Sequence, residues 1–268
     1  MEGTLPAGIA AQRRQRVEEI VVSARRRAEA IEDTPVAVIA LSATTLLESS
    51  ITRIDQIQEM VPNMSFRSGT PGNSATIQIR GVGTSTTGAA FDPGVGIYID
   101  GVFLPRAQGS IFDVLDIEQV EVLRGPQGTL FGKNTVGGAV NVTTVKPSEE
   151  IEGSVFVRPA NFGAIHTRFM MNLPIRLGWL DDRLFLRASV GTENSRGYGY
   201  NRLRDEYTDD AGGITFLGSL RLLPLDDVTV DVTGTWWKTR TRGRNGQCVY
   251  MQDRPRRARH QPGGRRTG

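Results

Sequence analysis

A chain of 268 residues has ample sequence for a buried core, and 32 Lys and Arg against 29 Asp and Glu leave a formal net charge of only +3. Lysine occurs only at 133, 146 and 238, and much of the arginine lies before Ala28 or after Lys238, so the positive excess belongs to the ends and argues against a nucleic-acid surface. The lone Cys248 excludes an internal disulfide framework and a cysteine-based zinc site, His166 and His260 cannot hold a metal by themselves, and no run reaches the ~18 apolar residues of a membrane-crossing helix.

Residues 1–17 are rich in Arg, Gln and Ala without periodicity and read as a disordered leader. Their short apolar patch precedes the arginines, the reverse of a secretory signal, so either export is not intended or the true start lies upstream. Glu18, Glu19, Ile20, Val21, Val22 and Ser23 form a short β-prone run, and a linker follows to residue 34. Such a run can add a strand to a partner's sheet or pack as a first strand on its own core; composition leaves both open.

From residue 35 the pattern is mixed. Residues 36–39 suggest a strand, Ser42 caps a short helix through Leu47, and Ile54, Ile57 and Met60 space a second helix over 53–60 that Pro62 stops. Strands are expected at 75–80 and 95–100, the second closed by the Asp100-Gly101 turn. Loops span 81–94 and 103–110, a short helical stretch lies near 111–115, and strands are expected at 120–123 and 139–144.

After Pro147 segments of seven to nine residues alternate between apolar and polar, at 151–157, 165–173, 183–190, 214–222 and 228–236. In the last, Val228, Val230, Val232 and Trp236 alternate with Thr229, Asp231, Thr233 and Thr235; in 183–190 only Phe185 is out of step. Tight connections at Asp181-Asp182 and 224–227, against a longer polar link over 194–212, match the short-turn, long-loop asymmetry of outer-membrane barrels. A soluble antiparallel sheet with one wet face alternates in the same way. Residues 239–268 lose the period and turn rich in Arg, Gly, Gln and Pro, which cannot continue a sheet.

The densest motif is VEVLRGPQGTLFGKNTVGGAVNVTTVKP over residues 120–147: a strand, a Gly-Pro turn, a glycine-rich loop and a second strand. It fails as a phosphate loop because Gln127 stands where glycine is needed and Asn134 where Ser or Thr is needed; Gly81-Val82-Gly83 fails as a dinucleotide fingerprint at Thr86. No nucleophile elbow, metalloprotease motif or paired-carboxylate motif stands out, and a hydrolase would have to use His166 on an alternating strand as its base.

In order and approximate spacing, Ile79-Arg80-Gly81, Tyr98-Ile99-Asp100-Gly101-Val102 and the 120–147 block resemble the plug domain of TonB-dependent outer-membrane transporters. The resemblance implies an α+β plug, a small mixed sheet with short helices, over residues 35–147. Antiparallel strands of an incomplete transmembrane β-barrel follow over 148–238, about five where the family's barrels have about 22. It implies energy-coupled uptake of iron-siderophore or a similar scarce nutrient at the outer membrane, with no enzyme chemistry, cofactor, metal or nucleic acid. Residues 18–23 match the TonB box, which pairs as a strand with TonB and through it answers to ExbB and ExbD. Arg80 and Arg124 match plug arginines that pair with glutamates on the inner barrel wall; with no such glutamates evident here, they should be solvated or the plug loosened. The loops at 82–94 and 103–110 correspond to outward-facing apices, where Phe91, Phe103 and Arg106 are candidate substrate contacts, with ordinary loop packing as the alternative. The competing reading is a non-transporting remnant that acts only as a TonB- or ligand-binding module.

Overall fold

The computed structural model describes residues 21–22, 29–30, 37–68, 75–84, 92–105, 112–176, 178, 182–202, 204–208, 210–225 and 227–240. β1 (Val21–Val22) and β2 (Glu29–Ala30) form a short antiparallel pair, Val21 opposite Ala30. The next unit contains β3 (Val38–Ser42), α1 (Ala43–Glu48), a 3-10 helix at Ile54–Glu59, β4 (Met64–Ser68), β5 (Ala75–Ile79) and β6 (Val82–Gly83). It continues with β7 (Val95–Ile99), β8 (Val102–Leu104), β9 (Ile117–Arg124), α2 (Gly128–Phe131) and β10 (Gly138–Thr144). Five of these strands make one mixed sheet in the order β3-β9-β10-β7-β8, parallel only between β10 and β7, and β4-β5-β6 form a small antiparallel sheet beside it.

Local chemistry explains the helices. The Ser42 hydroxyl accepts the Thr45 N–H at 3.3 Å and caps α1. The Gln56 side chain accepts the N–H groups of Thr52 (2.7 Å) and Arg53 (3.0 Å), satisfying donors at the start of the 3-10 helix. That helix lays Ile54 and Ile57 against Val120, Val122, Val140 and Val142 on one face of the mixed sheet, all fully buried. Each such side chain contributes about 2 kcal/mol of burial. On the opposite face Tyr98 packs edge-on against Phe131, ring centres 5.0 Å apart, and donates its hydroxyl to the Phe131 carbonyl. Two glycines permit the close approach: a Cβ on Gly137 would lie 2.5 Å from the Val82 carbonyl oxygen, and one on Gly138 (φ 146°) 2.3 Å from that of Leu123.

The second unit is a meander of β11 (Glu152–Ala160), β12 (Ala164–Ile175), β13 (Leu184–Ser195), β16 (Ala211–Leu225) and β17 (Val228–Thr239), every neighbouring pair antiparallel. A separate hairpin, β14 (Gly199–Asn201) with β15 (Glu206–Thr208), fills the long link between β13 and β16. Four of the five meander strands have 12 or 15 residues and the fifth has 9, enough to cross a bilayer at a tilt. One face of this wall shows Val157, Ile165, Phe169, Leu186, Phe216, Val232 and Trp236 to the outside. The other buries Asn172, Arg187, Ser189, Thr215 and Ser219, and of these Arg187, Ser189 and Thr215 bond the first unit. An apolar face of this extent belongs against lipid rather than water. Among the described residues the sheet ends at β11 on one side and β17 on the other, so the wall is an open arc.

Several expectations change. Residues 112–115 are not helical: Asp113 bridges to Arg53, the Phe112 carbonyl accepts from Ile54 and the Val114 N–H donates to the Thr52 carbonyl, so this backbone is paired with the segment before the 3-10 helix. Phe103 lies in β8 rather than in a loop, opposite Tyr98. The helix over 53–60 takes i to i+3 bonding, Gln56 to Arg53 and Met60 to Ile57, and begins with Arg53 extended. β4 has no counterpart in the sequence reading; pairing of Phe66 with Ile77 orders it. Phe185, the residue out of step, is 2% exposed because it turns to the inner, covered face of the wall.

Candidate functional site

The functional geometry lies along the seam between the two units. The backbone at 112–116 brings two carboxylates to the wall. Asp116, in a left-handed conformation (φ 52°), accepts from Arg187 Nε at 2.7 Å and Nη2 at 2.8 Å and from the Ser189 hydroxyl at 2.8 Å. Aspartate tolerates this backbone better than most residues. Arg187 also donates through Nη1 to Glu152 on β11 at 2.9 Å. Arg187 and Asp116 are almost wholly buried, whereas Glu152 is 42% exposed. A two-pronged arginine–carboxylate pair in such a seam is strong and directional.

Farther along, the Thr215 hydroxyl donates to Asp113. Arg168 reaches the Thr52 carbonyl at 3.4 Å, and Arg158 that of Ser50 at 3.1 Å. Asn172, fully buried on β12, secures the link between the units: its amide donates to the Ser148 carbonyl at 2.9 Å and its oxygen accepts the Ser148 N–H at 3.2 Å. Beside the seam, between β8 and β16–β17, lies a crevice of about 740 Å³ lined by apolar residues such as Leu104, Leu217 and Trp237. Of its carboxylates, Asp100 pairs with Lys146 at 3.0 Å and Asp231 with Arg221 at 2.7 Å. Nothing in these arrangements sets a nucleophile beside a base; they are polar contacts that join the two units.

The residues named from sequence are distributed unevenly. Val21 and Val22 stand in β1, while Glu18, Glu19, Ile20 and Ser23 lie outside the described residues, as do Phe91 and Arg106. Arg80 is exposed at a left-handed turn (φ 53°) after β5. Arg124 is half-buried at the end of β9, and its Nε has no hydrogen-bond partner among the described residues. Phe103 is half-buried with its ring 5.3 Å from that of Tyr98. Sequence reasoning overlooked Asp113, Asp116 and Asn172; Arg187 and Ser189 do stand on the polar side of their alternating strand, and a charge on a covered face was the available signal.

A mixed-sheet unit thus sits against the covered, largely polar face of an antiparallel wall whose other face is apolar. The model of the TonB-dependent Receptor Plug Domain matches residues 30–139. The chain is 30% identical over 189 residues to the pesticin receptor of Yersinia pestis, covering 69% of this chain and 28% of that protein. It is 31% identical over 150 residues to the vitamin B12 transporter BtuB of Vibrio vulnificus, covering 54% and 23%. In structure it resembles the ferric yersiniabactin uptake receptor FyuA of Yersinia pestis with TM-score 0.69 and 25% identity, covering 77% of this chain and 32% of that one. Residues 30–139 are a TonB-dependent receptor plug domain, and the chain spans less than a third of the length of these relatives. These relatives are receptors and transporters, not enzymes.

Proposed function

We propose that the chain supplies the plug and part of the wall for TonB-energised uptake of an iron-siderophore or similar scarce nutrient. The observation that carries this reading is the seam itself, a plug bound by polar contacts to the covered face of a wall whose other face is apolar. The family is one of the outer membrane, and so is this chain. In this reading residues 18–34 are the TonB box and linker, 35–147 the plug and 148–238 the wall, with a leader before and a tail from 239. Glu18, Glu19, Ile20, Val21, Val22 and Ser23 pair as a strand with TonB, whose pull derives from ExbB and ExbD. Phe91 and Arg106, with Phe103 beside them in sequence, contact the nutrient from the plug's apices, and Arg80 and Arg124 serve as plug cations for acidic wall partners. The chain itself makes and breaks no covalent bond.

Pairing by main-chain hydrogen bonds predicts a specific sensitivity. Ile20→Pro or Val22→Pro should abolish capture of the chain by the C-terminal domain of TonB, because proline removes a donor, whereas Val21→Ala should retain it. Equal capture of all variants would refute the box assignment. Uptake is tested separately in a strain lacking its own transporter. The second reading, a binding module without transport, predicts TonB capture with no restored uptake.

A further inference from the structure

Arg187 is held by two carboxylates of different allegiance. Asp116 belongs to the plug, and Glu152 belongs to β11 of the wall, beside Asn172 in register. A plug leaving its seat takes Asp116 with it and would strand a buried arginine in the wall, a costly state. Glu152 removes that obstacle. It already touches the third guanidinium nitrogen at 2.9 Å, it does not move with the plug, and at 42% exposure its side chain has room to shift onto the vacated prongs.

We propose that Arg187 is a counter-ion handover point, paired chiefly with Asp116 while the plug is seated and with Glu152 once the plug is displaced. Asp116 is then a positioning residue that favours the seated state, and Glu152 one that favours the displaced state. The two acids, equivalent by simple charge counting, act with opposite sign on plug release. This inference rests on the plug-and-wall reading of the function, but not on TonB or on any particular nutrient.

The test uses the full chain in detergent micelles with Cys248→Ser and a single reporter thiol, Leu115→Cys. Leu115 is 5% exposed and would lie within 3.4 Å of a Cβ on Gly191 of the wall, so a water-soluble maleimide reaches it only when the seam opens. Asp116→Asn should raise the labelling rate by about tenfold or more, since it removes a charged partner from a buried pair. Asparagine tolerates the same left-handed backbone, which separates loss of charge from loss of geometry. Glu152→Gln should lower the rate several-fold, because the displaced state loses its waiting partner. Glu152 is partly exposed, so this variant folds and carries the decisive sign. A Glu152→Gln rate at or above that of the parent would overturn the handover, as would an Asp116→Asn rate no higher than the parent's. Either result leaves the transport reading standing, because labelling requires neither nutrient nor TonB.

Discussion

Asn172 and Ser148 face each other across the junction of plug and wall, each donating a hydrogen bond to the other: the Asn172 amide to the Ser148 carbonyl, and the Ser148 N–H to the Asn172 oxygen. The same amide also reaches the Ser148 hydroxyl at 3.1 Å and the Glu150 carbonyl. One fully buried side chain thus satisfies three backbone groups where the chain passes from one unit to the other. Asn172→Ala should cost about 2–4 kcal/mol by leaving several groups without partners. Urea unfolding in micelles measures this, and a loss below about 1 kcal/mol would show that water replaces the amide freely.

Phe185 and Leu186 are neighbours on β13 that face opposite environments, 2% and 36% exposed. Phe185→Ala should destabilise the fold by about 3–5 kcal/mol through a cavity at the covered face. Leu186→Ala should change stability little in micelles, because detergent meets either side chain. Thermal melting of the two variants gives the comparison, and equal shifts would contradict the assignment of faces.

Gly138→Ala should prevent assembly of the plug sheet, since its Cβ would meet the Leu123 carbonyl oxygen at 2.3 Å on a backbone with φ 146° that suits glycine. The neighbouring Gly128 has open space around its Cα, and Gly128→Ala should be tolerated to within about 0.5 kcal/mol. Protease resistance of the plug distinguishes the two.

Tyr200, in the hairpin outside the wall strands, donates its hydroxyl to Asp205, and that hydrogen bond raises its pKa above the ordinary tyrosine value. Hydrogen bonding favours the neutral phenol, so any stabilisation is present below pH ~10 and is lost as pH rises through the elevated folded value. Ultraviolet titration should find Tyr200 ionising above the ordinary tyrosine range, and Asp205→Asn should return it toward that range. An unchanged titration curve would dissociate the pair in solution.

Much of this architecture is legible in the sequence because period two survives in every wall strand and because glycines 137 and 138 stand where a side chain would strike a neighbouring carbonyl. Phe185 is less legible: the residue that breaks the apolar period reports a covered inner face, and alternation by itself carries no sign of what covers it. Asp113 and Asp116 were opaque for a different reason. Flanked by apolar residues, they look like solvated turn positions, and their partners Thr215 and Arg187 lie on strands far away in sequence. β4 was missed because a five-residue strand acquires its identity from the register with β5 rather than from its own composition.

The order of strands in the plug sheet has a consequence for biogenesis. Val38 pairs with Leu123, and Val95 runs parallel to Gly138, so the β7–β8 hairpin and the β3–β9 pair stay apart until β10, the segment ending at Thr144, has been delivered to join them. The wall strands instead pair with near neighbours through short reversals or a small hairpin, and contacts of that kind form early. The plug sheet therefore completes only when β10, its last strand in the chain, arrives to draw the earlier ones together.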